Sequence, residues 1–166
     1  MSIPADPEAH VRAVLAGLGV AHEIVPCDPG LADTAAFCEA YGFAAEDSAN
    51  TIVVEGRAEP PVRVACVVLA STRLDVNNVV RRRLGVRKAS FASAEATRDL
   101  TGMAIGGVTA IGLPAGLPVW IDAAVMARPR VILGGGSRSC KVLIAPDLLT
   151  TLPGVEVVEG LANPIA

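Results

Sequence analysis

Hydrophobic positions in this chain fall into short blocks whose spacing alternates between helical and strand-like. Val11, Val14, Leu15 and Leu18 recur at three- and four-residue intervals and share one helix face. Asp6 offers an N-cap acceptor, Pro7 suits the first helical position, and Gly19 can end the helix. A short strand is predicted over 22–25 and a loop over 26–30. A second helix over 33–41 carries Phe37 and Tyr41 one turn apart and stops at Gly42. The β-branched run 51–54 and the apolar run 62–70 flank turn-forming residues 56–61, which predicts a hairpin. Asp75 caps a third helix with Val76, Val79, Val80 and Leu84 inward and Gly85 at its end. Residues 88–91 read as a strand, and Ser93 caps a helix ending near Leu100. Further strands are predicted at 119–121, 131–133, 140–144 and 155–158. Asp122 can cap a short helical turn and Pro146 can start another.

These eight short strands are not each followed by a helix, which argues against a strict dinucleotide-binding alternation. The fold class expected is α/β of the α+β type: a mixed, largely antiparallel sheet wrapped by several helices. A length of 166 residues fits one domain spanning 1–166. Hydrophobic residues make up 52% and mean hydropathy is +0.50, but no apolar run approaches the ~20 residues of a membrane span. The excess is therefore assigned to strands buried on both faces. Residues 1–7 are polar and carry no leader pattern, so a cytoplasmic protein with no membrane partner is expected. The apolar excess is also compatible with a homodimer.

A formal charge of −3 argues against broad, non-specific nucleic-acid binding while leaving room for a local basic patch. Arg81, Arg82 and Arg83, followed by Arg87 and Lys88, form such a cluster; it reads either as a solvated helix face or as a phosphate contact. The cysteines at 27, 38, 66 and 140 have no CxxC spacing, and histidines occur only at 10 and 22. A zinc site is not expected, and Cys66 and Cys140 read as core thiols. Neither a P-loop nor a GxSxG elbow is present around Ser137 and Ser139. The stretch 103–122 holds Gly106, Gly107, Gly112 and Gly116, and a second cluster follows at 134–136. Adjacent glycines let backbone approach a ligand closely, and successive amides can form a concave anion or carbonyl site.

The order of the segments resembles the YbaK/ProX family of aminoacyl-tRNA deacylases, relatives of the editing domain associated with prolyl-tRNA synthetase. The resemblance rests on NTIVV from Asn50, RLDV from Arg73, LGVRK from Leu84, LTG from Leu100, GGVT from Gly106, LPVWID from Leu117 and VILGGG from Val131. It covers about residues 8–158. The resemblance implies hydrolysis of the ester joining a wrong amino acid to a tRNA, with tRNA and an amino-acid moiety as partners and no cofactor or metal. It also implies backbone amides at Gly106 and Gly107 that stabilise the oxyanion. The family's lysine before the strand is Asn50 here, its Ser-Pro after the glycines is Thr109-Ala110, its later serine is Gly134, and its strand aspartate is Lys141. Lys141 can return the lost positive charge from another wall. Candidate catalytic residues are thus Lys141, Gly106 and Gly107. Candidate substrate-binding residues are Asn50, Thr51, Thr109, Gly134 and Ser137, and candidate tRNA contacts are Arg81, Arg82, Arg83 and Lys88. The alternative is a non-catalytic module that keeps the fold and binds an aminoacyl end or a small amino-acid-like ligand.

Overall fold

A computed structural model describes residues 3–165; the first two residues of the polar start discussed above lie outside that range. Helix α1 (Pro7–Leu18) begins where the Asp6 carboxylate accepts from the Ala9 N–H at 3.1 Å, and ends at Gly19 with φ 65°. Strand β1 (Glu23–Pro26) and helix α2 (Thr34–Tyr41) follow. Strands β2 (Ala49–Gly56) and β3 (Val62–Leu69) form the expected hairpin in continuous antiparallel register. After β4 (Thr72–Leu74) a π-helical turn, Val76–Val80, runs into the short α3 (Arg81–Leu84), with the Asp75 side chain capping Asn78. Then come β5 (Ala89–Phe91), α4 (Ala94–Thr101, capped by Ser93), β6 (Val119–Asp122) and α5 (Ala123–Met126). The chain ends through β7 (Val131–Gly134), β8 (Cys140–Ile144), β9 (Val155–Val158) and β10 (Ala162–Pro164).

The central sheet is mixed, in the order β5-β2-β3-β6-β9: β5, β2 and β3 pair antiparallel, while β3, β6 and β9 run parallel. A second sheet, β1-β8-β7, is antiparallel, as is the small pair β10-β4. Alternation along β3 sends Ala65, Val67 and Leu69 into one core with Val11, Leu15, Met103, Leu133 and Ile144. It sends Val64, Cys66 and Val68 into a second core with Val80, Trp120 and Leu161. Covering both faces explains the apolar excess, since each buried Val or Leu contributes about 1.5–3 kcal/mol. Among the described residues no helix is long and apolar enough to cross a membrane.

Two expectations change. Strands β4 and β10 were not anticipated: each is three residues long, without alternation, and they exist because a mid-chain segment pairs with one near the C-terminus. Asp122 does not cap α5 with its side chain. Its carboxylate is buried and accepts from the Leu161 N–H at 3.2 Å, anchoring the segment before β10; burial raises its pKa.

Candidate active site

The candidate site opens on the edge of β2. The Ser48 carbonyl accepts from the Ala70 N–H, and the register places the even residues of β2 in hydrogen-bonded pairs with β3. Odd residues therefore direct their N–H and C=O away from β3. From Val54 onward that side is covered by β5, and the Val53 carbonyl accepts from the Ala92 N–H at 2.9 Å. Before it, at Thr51, the edge faces a cavity of about 240 Å³. Opposite walls come from Ile132, Leu133 and Gly134 of β7 and Lys141 of β8; Phe37 of α2 and Ile105 and Gly106 of the glycine loop complete it.

Asn50, Thr51, Gly106, Gly134 and Lys141 all line this cavity. The Asn50 side-chain oxygen accepts from the Thr34 hydroxyl at 2.6 Å. The Thr51 hydroxyl is buried and has no hydrogen-bond partner among the described residues. Lys141 is only 7% exposed, and its ammonium donates to the carbonyls of Ala32 and Gly106, both at 2.7 Å, with the Phe37 ring centroid 5.4 Å away. Burial lowers its pKa from the ordinary lysine value. Two of its three protons are thus committed to carbonyls, which leaves one.

Three expected site residues lie elsewhere. The Gly107 amide donates to the Ala104 carbonyl at 2.8 Å, so it is not free to meet an oxyanion. Its carbonyl accepts from the Gly136 N–H, also at 2.8 Å, and a Cβ at Gly107 would overlap the main chain of Ser137. The two glycine bends do converge, but Gly107 serves close backbone packing between them. Thr109 is fully buried away from the cavity, its hydroxyl accepting from the Ile111 N–H at 3.4 Å. Ser137 donates to Glu8 at 2.8 Å and accepts from the Ser139 N–H, tying the second bend to α1. That hydroxyl holds the Glu8 carboxyl below its ordinary pKa.

The basic cluster lies outside the cavity. Arg81 caps its own helix end, donating to Asn77 O at 2.7 Å and Val86 O at 3.4 Å. Arg83 pairs with Glu156 and lies 4.8 Å above the Trp120 ring. Arg82 and Lys88 are exposed. Arg138, which no motif singled out, ties together Asp33 and Ile105 of the cavity wall. It donates to Pro29 O at 3.0 Å, Asp33 at 3.0 Å and Ile105 O at 2.6 Å. Burial pushes the Cys66 thiol up to about 12 and raises Cys27 and Cys140, which disfavours the thiolate at these three positions.

Residues 28–152 match the model of the aminoacyl-tRNA editing domain. The chain belongs to the aminoacyl-tRNA editing domain family. Solved structures agree with this editing domain in fold. It superposes on a candidate trans-editing enzyme for prolyl tRNA synthetase with TM-score 0.80 at 24% identity, covering 99% of this chain and 100% of that one. It matches a hypothetical protein with TM-score 0.82 at 21% identity, over 93% and 99% of the two chains. A scaffold protein from epitope grafting gives TM-score 0.79 at 21% identity, over 98% and 100%. Within the editing domain, among the described residues, no group of three or more His, Cys, Asp or Glu side chains could hold a metal ion.

Proposed function

We propose that this editing domain hydrolyses the ester of a mischarged aminoacyl-tRNA in the cytoplasm, with residues 1–166 acting as one unit. The observation that carries the reading is a buried ammonium, Lys141, sharing a cavity of about 240 Å³ with Thr51, whose hydroxyl has no partner among the described residues. An apolar pocket separates amino acids differing by one methylene by only ~1–3 kcal/mol, so a second hydrolytic site has a use. In our reading the aminoacyl group enters between Phe37 and Thr51. The remaining Lys141 proton, together with the Gly106 amide, faces the ester oxygen where negative charge develops. Asn50 orients a carbonyl or hydroxyl of the substrate through its amide. Water adds to the carbonyl carbon, the bond to the ribose oxygen breaks, and that oxygen takes a proton; the products are the free amino acid and the uncharged tRNA.

Incubating the purified protein with a panel of mischarged tRNAs and following release of the amino acid tests this directly. Turnover on none of them would remove the reading. The second reading, a module that binds without turnover, draws on a specific feature. The one carboxylate on the cavity wall among the described residues, Asp33, is ion-paired with Arg138 at 3.0 Å, and two Lys141 protons are already engaged. Saturable binding without release on every substrate would select the module.

A further inference from the structure

The chain is acidic overall, yet one corner gathers cations that find no acid. Among the described residues, Arg57, Arg81, Arg82, Arg87 and Lys88 make no ion pair. Arg57 and Lys88 face each other at the end of the β2–β5 ladder, where the Arg57 N–H donates to the Lys88 carbonyl at 2.8 Å. Like charges directly opposite on a ladder destabilise it. The Arg81 guanidinium is held at the Val86 carbonyl, next to Arg87. Arg57, Arg81, Arg87 and Lys88 line one groove. Glu55 also lines the groove but is taken by Arg63 at 2.8 Å, and Glu59 sits in the exposed turn. Such a cluster repels itself until an anionic partner neutralises it.

We propose that this groove holds the phosphate backbone of the tRNA acceptor stem while the cavity holds the aminoacyl end; the choice of tRNA rests on the function proposed above. Both sites lie on β2. At ~3.3 Å per residue, Arg57 stands about 20 Å from Thr51. At ~3.4 Å per stacked nucleotide, that is about six nucleotides from the ester, where the 3′ strand enters the paired stem. The groove therefore presents its charge where the first duplex phosphates pass. Arg83, engaged with Glu156 and Trp120, is not part of it.

The test measures dissociation constants for uncharged tRNA across a salt series, comparing wild type, R57A/R87A, and R12A/R130A, which removes the same charge elsewhere. R57A/R87A is expected to weaken binding about tenfold or more at low salt and to lower the slope of log affinity against log salt by about two. R12A/R130A stays within about twofold of wild type. The thermal midpoint of R57A/R87A equals or exceeds that of wild type, because repulsion is relieved; R57Q/R87Q replaces it if the alanine pair unfolds. A wild-type slope and affinity in R57A/R87A, or an equal loss in R12A/R130A, overturns the groove. Wild-type turnover of an aminoacyl-adenosine ester reads the cavity without the stem. Turnover together with an unchanged R57A/R87A slope removes the groove and leaves the hydrolytic reading. Absent turnover together with a reduced slope leaves the groove and removes hydrolysis.

Discussion

The two glycine bends and the bare edge of β2 treat their polar backbone in opposite ways. In the bends, the Gly107 amide is satisfied by Ala104 and the Gly136 amide by Gly107, so the glycines close the backbone on itself. Along β2, an ordinary β-branched strand, the Thr51 hydroxyl has no partner among the described residues, and the register turns its N–H and C=O away from β3, short of where β5 begins. A glycine cluster therefore marks close approach of two chain segments before it marks an open anion site. Unmet hydrogen-bonding capacity arises where a sheet edge stops being paired.

The largest effect expected is at the closed side. Gly107→Val would drive a side chain into the Ser137 main chain and is expected to cost about 3 kcal/mol, read as a lower midpoint in denaturant unfolding. Near-wild-type stability would mean that the bends are not packed backbone to backbone. Next is Lys141→Ala, which strands the Ala32 and Gly106 carbonyls and removes the buried charge. Ester hydrolysis should fall about 10²-fold or more, and intact turnover would strike Lys141 from the mechanism.

The lowered Lys141 pKa separates the two properties by pH. A catalytic ammonium is lost as pH rises through its folded value, so turnover declines below the usual lysine range. Stability moves the other way. Between the folded and ordinary values the unfolded chain binds more protons, so stability rises with pH across that window. A turnover profile flat through that range would indicate that the charge of Lys141 does no chemistry. Thr51→Val is a smaller change: removing an unpartnered buried hydroxyl should stabilise the free protein by about 1 kcal/mol, and calorimetry would detect a loss instead if the hydroxyl is satisfied in solution. The smallest effect is at Arg83→Ala. An exposed ion pair and a cation–π contact together predict about 0.5–1 kcal/mol in thermal unfolding, with little change in tRNA binding.

Local chemistry wrote most of the elements into the sequence. Asp6, Asp75 and Ser93 cap their helices with their own side chains, and Gly19, Gly42 and Gly85 end theirs at positive φ. The apolar run over 62–70 anticipated a strand buried on both faces, and Val62–Leu69 feeds two cores. These features depend on residues a few positions apart, so the unfolded chain already carries them. The order of the motifs likewise drew Asn50, Gly106, Gly134 and Lys141 together as candidates, and those four share one cavity. Tertiary structure alone decided the rest. Strands β4 and β10 have no pattern of their own and form only when residues 72–74 meet 162–164. The Ser137 hydroxyl was turned from the cavity by Glu8, a partner that no spacing rule names. Arg138 became a tie because the chain brought the carbonyls of Pro29 and Ile105 to it. Propensity and capping are set by near neighbours. Which acceptor a given N–H or ammonium meets is set only after distant segments pack, because burial makes every polar group take whatever partner that packing supplies.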